Sequence, residues 1–88
     1  MDLADIRREI DQVDDELVNL LEKRMELVSQ VVAYKQSSGR AILDRAREQA
    51  ILDKVAAHVE NKQYVETIVD SFADLMRHSR EYQNKNLS

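Results

Sequence analysis

A chain of 88 residues can hold one small domain at most, and a domain that size buries too modest a share of its surface to stand easily alone, so a second chain is expected to help. The absence of Cys excludes a disulfide framework or a thiolate metal site and suits a reducing, cytoplasmic setting, while a net charge of −4 excludes the broad basic stripe that nucleic acid requires. One Gly, no Pro and 5% aromatic residues, set against many Leu, Ala, Glu, Lys and Arg, describe an all-α protein.

The opening "MDLADIRREI" carries acidic residues from its second position, so neither a signal peptide nor a membrane span of ~20 apolar residues is expected. From Ile6 the apolar positions Ile10, Val13, Leu17, Leu20, Leu27, Val31 and Tyr34 alternate steps of four and three, a heptad seam interrupted at Arg24. Nothing between Asp2 and Gln36 breaks it, which predicts one helix of about 35 residues, ~52 Å long, with Asp2 and Asp5 suited to its positive end.

"SSGR", residues 37–40, holds the single glycine and ends that helix in a loop. Asp44 is a candidate N-cap for a second helix over about 44–59, and a break near Glu60 to Lys62 starts a third. The stripe of the third helix is Val65, Ile68, Val69, Phe72, Leu75 and Met76, and the same spacing continues to Ser79, Tyr82 and Gln83. No internal repeat is present, and residues 1–88 read as one domain.

A compact 88-residue globule has a diameter of ~30 Å, which a ~52 Å helix overshoots. The overhang carries Ile6, Ile10 and Val13, an apolar strip that a monomer would leave in water. A two-fold homodimer whose long helices cross or run antiparallel covers it.

The stretch "LDRAREQAIL" poses a sharper question. Stepping back by three and four from Val55, Leu52 and Ile51 lands on Glu48, Arg47 and Asp44, three charges where a core-facing helix should carry leucines. Arg45, about 200° around the helix from Arg47, should face solvent. On the first helix Arg24 and Lys35 lie within ~20° of one face and ~16 Å apart, able to bracket a small molecule between helices. Arg7 sits ~25 Å down the same helix from Arg24, out of reach of that ligand within one chain but available from an antiparallel partner.

Each of these residues has a plain alternative taken singly. Arg7 and Arg24 could snorkel beside the seam, Asp44, Arg47 and Glu48 could form a helix-start carboxylate and an ion-pair ladder, and Ser79 and Gln83 could be a frayed polar end. Taken together, Arg24, Lys35, Asp44, Arg47, Glu48, Ser79 and Gln83, with Arg7 from a partner, describe a pocket for a dianion, most simply a dicarboxylate, with oxygen-directed polar groups beside it. No nucleophile stands with a base and no glycine loop cradles phosphate. His58 and His78 are twenty residues apart, His78 sharing a polar face with Asp74 and Glu81, so neither a metal nor a cofactor is expected.

The segments "IRREIDQVDDELVNLLEKRMELVSQVVAYK", "LDRARE" and "MRHSREYQ" together resemble the all-α class of chorismate mutase over nearly the whole chain. The resemblance implies an intertwined homodimer of three-helix chains that rearranges chorismate to prephenate on the route to phenylalanine and tyrosine. It implies that Arg24 and the partner's Arg7 hold the substrate carboxylates, with Arg47 and Ser79 helping to position them. Lys35 and Gln83 would flank the ether oxygen, Lys35 also touching a carboxylate. Asp44, largely through its backbone, and Glu48 would take the ring hydroxyl.

One departure is Ala41 after Arg40, where many members place Pro, which leaves the loop freer and its ordering a cost to binding. Two rival readings remain beside the mutase: an isochorismate-pyruvate lyase of the same fold, which Glu48 disfavours, and a non-catalytic helical dimerisation or regulatory module, which has no use for eight polar groups aimed at one cavity. No effector domain is read in the sequence, so feedback control would come through docking on another enzyme of the same pathway.

Overall fold

The computed structural model describes residues 1–39 and 43–86, so Arg40 and Ala41, and with them the departure in the loop, lie outside the described residues. Three α-helices carry the fold: α1 (Leu3–Ser38), α2 (Arg45–His58) and α3 (Val65–Asn86), with one turn of 3₁₀-helix, Lys62–Tyr64, leading into α3. The long first helix and the two shorter ones fall where the periodicity places them.

Local chemistry sets each boundary. At the start of α1 the Asp2 carboxylate accepts from the Asp5 backbone N–H at 2.9 Å and the Asp5 carboxylate accepts from the Asp2 N–H at 3.4 Å, a reciprocal box that satisfies two otherwise orphaned donors. The helix ends on Gly39, which adopts φ 71°, and its N–H reaches the Lys35 carbonyl at 2.9 Å; a side chain there would be strained. Asp44 caps α2, its carboxylate accepting from the Arg47 N–H at 2.9 Å. At the far end of α2 the Lys62 ammonium donates to the Ala56 carbonyl at 3.2 Å, placing positive charge at the negative end of the helix.

α3 is the hub. It packs on both α1 and α2, while the backbones of α1 and α2 stay apart and leave a gap floored by α3. Among the described residues only Val32, Met76, Ser79 and Gln83 are buried, so half of the interior of the chain is polar. The radius of gyration is 16.0 Å and the long dimension 53 Å, against about 12 Å for a compact chain of this length.

The face of α1 that meets α3 is not the heptad seam. Apart from Asp5 in the first turn, Leu21, Arg24, Met25, Val28, Val32 and Lys35 are the partly or fully buried positions described on α1, whereas Ile6, Ile10, Val13, Leu17, Leu20, Leu27 and Val31 are all exposed, from 43% to 64%. The apolar seam positions therefore stay solvent-exposed along the helix, although Arg24, at the seam's interruption, is partly buried. Among the described residues no helix is long and apolar enough to cross a membrane.

Candidate functional site

The gap between α1 and α2 forms a cleft of about 270 Å³. Arg24 and Lys35 enter it from α1, Asp44, Arg47 and Glu48 from the start of α2, and Ser79, Arg80 and Gln83 from α3. Leu27, Val28, Val31, Ile51 and Met76 supply the apolar wall against which the polar groups stand. The start of α2 thus carries charges because it lines a cleft rather than a core. Arg45 is exposed and lines no part of it.

Two contacts fix the floor. Arg24 Nη1 donates to Ser79 Oγ at 2.8 Å, joining α1 to α3 and holding the guanidinium over the cleft. Arg80 Nη1 donates to Glu48 Oε1, joining α3 to α2. Gln83 is 8% exposed, and its Oε1 is buried without a hydrogen-bond partner, an uncommon and costly state for an amide inside a protein. Rotation of the amide exchanges Oε1 and Nε2 at that buried position, so the group can present either an acceptor or a donor.

Asp44 has two attachments. It lines the cleft while its carboxylate accepts from the Arg47 N–H and its backbone carbonyl accepts from the Glu48 N–H at 3.0 Å. Arg7 is exposed on the second turn of α1 and does not reach the cleft of its own chain.

Two residues depart from the sequence reading. Tyr82, placed on the inward stripe of α3 by its spacing, is 39% exposed and points toward α1, where its hydroxyl lies 3.3 Å from Ser29 Oγ. Arg80 was not singled out, although it stands four residues after Met76 and three before Gln83 and so shares their face. The exposed face of α3 behaves as its composition suggests: Arg77 pairs with Asp74 and Glu81, and His78 with Glu81, all in solvent.

A largely apolar groove adjoins the cleft, lined by Ala50, Val55, Val59, Ile68 and Phe72 with Lys54 and His58, and sharing Arg24, Arg47 and Ile51 with it. The cleft offers four cations, Arg80 among them paired with Glu48, a neutral amide, a hydroxyl and two carboxylates, and no Cys or His among its described lining residues. Such a set is suited to binding and orienting an anion.

A family model described as chorismate mutase type II matches residues 6–84. The T-protein of Haemophilus influenzae is 40% identical over 85 residues, 96% of this chain, and the chain spans 22% of that protein. The chorismate mutase of Methanocaldococcus jannaschii is 30% identical over 86 residues, covering 97% of this chain and 87% of the relative. No solved structure matches the chain.

Proposed function

The chain belongs to the chorismate mutase type II family, and from that premise we propose that its cleft binds chorismate and rearranges it to prephenate. The observation that carries the reading is the convergence of Arg24, Lys35, Arg47 and the buried Gln83 amide on one cleft drawn from three helices. A Claisen-type rearrangement forms one carbon–carbon bond as one ether carbon–oxygen bond breaks. No proton is transferred and no covalent enzyme intermediate arises. The protein has to fold the substrate into a reactive conformer and stabilise negative charge on the departing ether oxygen.

The cleft residues divide that work. Arg24, held by Ser79, forks onto one substrate carboxylate, and Arg47 steadies the carboxylates from α2. Lys35 supplies fixed positive charge beside the ether oxygen and touches a carboxylate, and Gln83 turns its Nε2 donor to the same oxygen. Glu48 accepts from the ring hydroxyl, and the backbone N–H of Asp44 donates to it, the carbonyl and carboxylate of Asp44 being engaged at the start of α2.

The site is completed across a homodimer. The outward seam of α1, with Ile10 51% and Val13 60% exposed, needs cover, and the apolar groove beside the cleft is an open surface of matching character. A partner α1 lying antiparallel in that groove brings Arg7 of the partner subunit to Arg24 and Arg47, the two cations that groove and cleft share. The dimer would be intertwined through its long helices, and docking on another enzyme of the pathway stays compatible with it. The setting proposed is the cytoplasm.

The test is the loss of chorismate absorbance in the presence of purified protein, with isochorismate as the control. Consumption of chorismate with formation of prephenate supports the mutase. Release of pyruvate from isochorismate alone would assign the chain to the lyase reaction, and inertness toward both would leave a non-catalytic helical module.

A further inference from the structure

Arg80 gives the cleft a property that the proposed chemistry does not by itself require. Its side chain leaves α3, crosses the floor and pairs with Glu48 on the first turn of α2, the two side chains being 29% and 23% exposed. Other ion pairs of the chain, Arg8 with Asp5 and Arg77 with Asp74 and Glu81, are local to one helix and exposed, the class that contributes little. The Arg80–Glu48 pair instead joins two helices inside the cleft, through one guanidinium nitrogen and one carboxylate oxygen, a charge-assisted contact that restricts the direction of the carboxylate.

The surroundings say what such a restricted direction does. Glu48 has three side-chain torsions and shares the cleft with Arg24, Lys35 and Arg47. A mobile carboxylate there would swing onto one of those cations and neutralise charge directed at the bound anion. Arg80 engages Oε1 of Glu48, and a carboxylate held by that contact is less free to swing onto the other cations, with its second oxygen still able to accept.

We infer that Arg80 is a positioning residue that acts through Glu48 to set the preference of this cleft for a dicarboxylate bearing a ring hydroxyl. The inference rests on the mutase reading. It deepens that reading by naming the residue that makes the hydroxyl matter: with Glu48 pinned, a substrate hydroxyl meets an oriented acceptor, and a substrate with hydrogen in its place leaves that acceptor without a partner.

The experiment compares kcat/KM for chorismate and for the analogue in which hydrogen replaces the ring hydroxyl, using the full chain and its Arg80→Met, Arg80→Lys and Glu48→Gln variants. Arg80→Met is expected to reduce the discrimination between the two substrates on the order of tenfold, the scale of a misplaced polar group in an active site. Arg80→Lys, which keeps a charge near Glu48, recovers most of it. In the Glu48→Gln background, Arg80→Met changes the discrimination no further, because the residue acts through the carboxylate.

A bridge that served only to hold α3 to α2 would lower activity on both substrates alike through the folded fraction. If Arg80→Met loses its helical circular dichroism, Arg80→Gln carries the same comparison. Equal losses on the two substrates, with discrimination within twofold of wild type, would overturn the inference while leaving the mutase intact. A wild-type chain inactive on both substrates would overturn the functional reading and the inference with it.

Discussion

Gln83 is where the structure sets stability against activity, and Gln83→Met separates the two. The side chain is 8% exposed with Oε1 buried and unpartnered, and such a group carries an uncompensated desolvation penalty of about 1–3 kcal/mol. Methionine has a similar shape and volume and no polar atom to satisfy, so the substitution removes the penalty at little packing cost. A net gain of about 1 kcal/mol corresponds to a rise in Tm of about 4–8 °C for a domain of this size, measured at fixed protein concentration. The same change deletes the neutral donor beside the breaking ether bond, a loss on the order of 100-fold in kcat. Thermal unfolding followed by circular dichroism and the chorismate absorbance assay, run on one preparation, read both effects. A variant that melts below wild type, or that keeps more than a tenth of its kcat, refutes the assignment of Gln83 as a buried group held for the substrate.

Lys35→Ala should cost at least about 100-fold in kcat, since a fixed positive charge beside the leaving oxygen is removed, while helical content barely changes; a loss below tenfold would place Lys35 away from the breaking bond. Asp44→Ala should lower stability by about 1 kcal/mol through loss of the α2 cap, and Asp44→Asn, which keeps an acceptor for the Arg47 N–H, should restore most of it in urea unfolding; equal stability of the two variants would show that the cap is not what Asp44 contributes. Sedimentation at low micromolar concentration should give about twice the 10.2 kDa chain mass, and a folded, active monomer would contradict the dimer.

The parts of the fold that were legible in the sequence are those governed by local rules. The length of α1, the glycine at its end, Asp44 as a cap and the break before α3 follow from periodicity and capping chemistry, which act within a few residues. Which face of α1 turns inward was not legible. Its heptad seam and the Leu21, Val28, Lys35 face are both apolar enough to pack, and spacing alone does not distinguish contact within a chain from contact between chains. Tyr82 shows a related limit: an amphipathic ring on the stripe of α3 can stay part-exposed and meet α1 at its hydroxyl, as it does at Ser29. Arg80 was hidden by its type, because an arginine at the polar end of a helix reads as solvated until the structure shows Glu48 opposite it.

The central claim is that one site is built from two chains and that it performs the rearrangement. Mixed dimers test both at once. Arg7→Ala and Arg24→Ala proteins, each nearly inactive alone, are unfolded together in equal amounts, refolded, and assayed with chorismate. If Arg7 acts in trans, each mixed dimer has one site carrying both substitutions and one carrying neither. Random pairing makes about half of the dimers mixed, so roughly a quarter of wild-type activity returns by the two-fold symmetry of the assembly. If both arginines served the site of their own chain, every site in every mixed dimer would lack one of them, and no recovery, with mixed dimers verified by native mass spectrometry, would contradict the shared site.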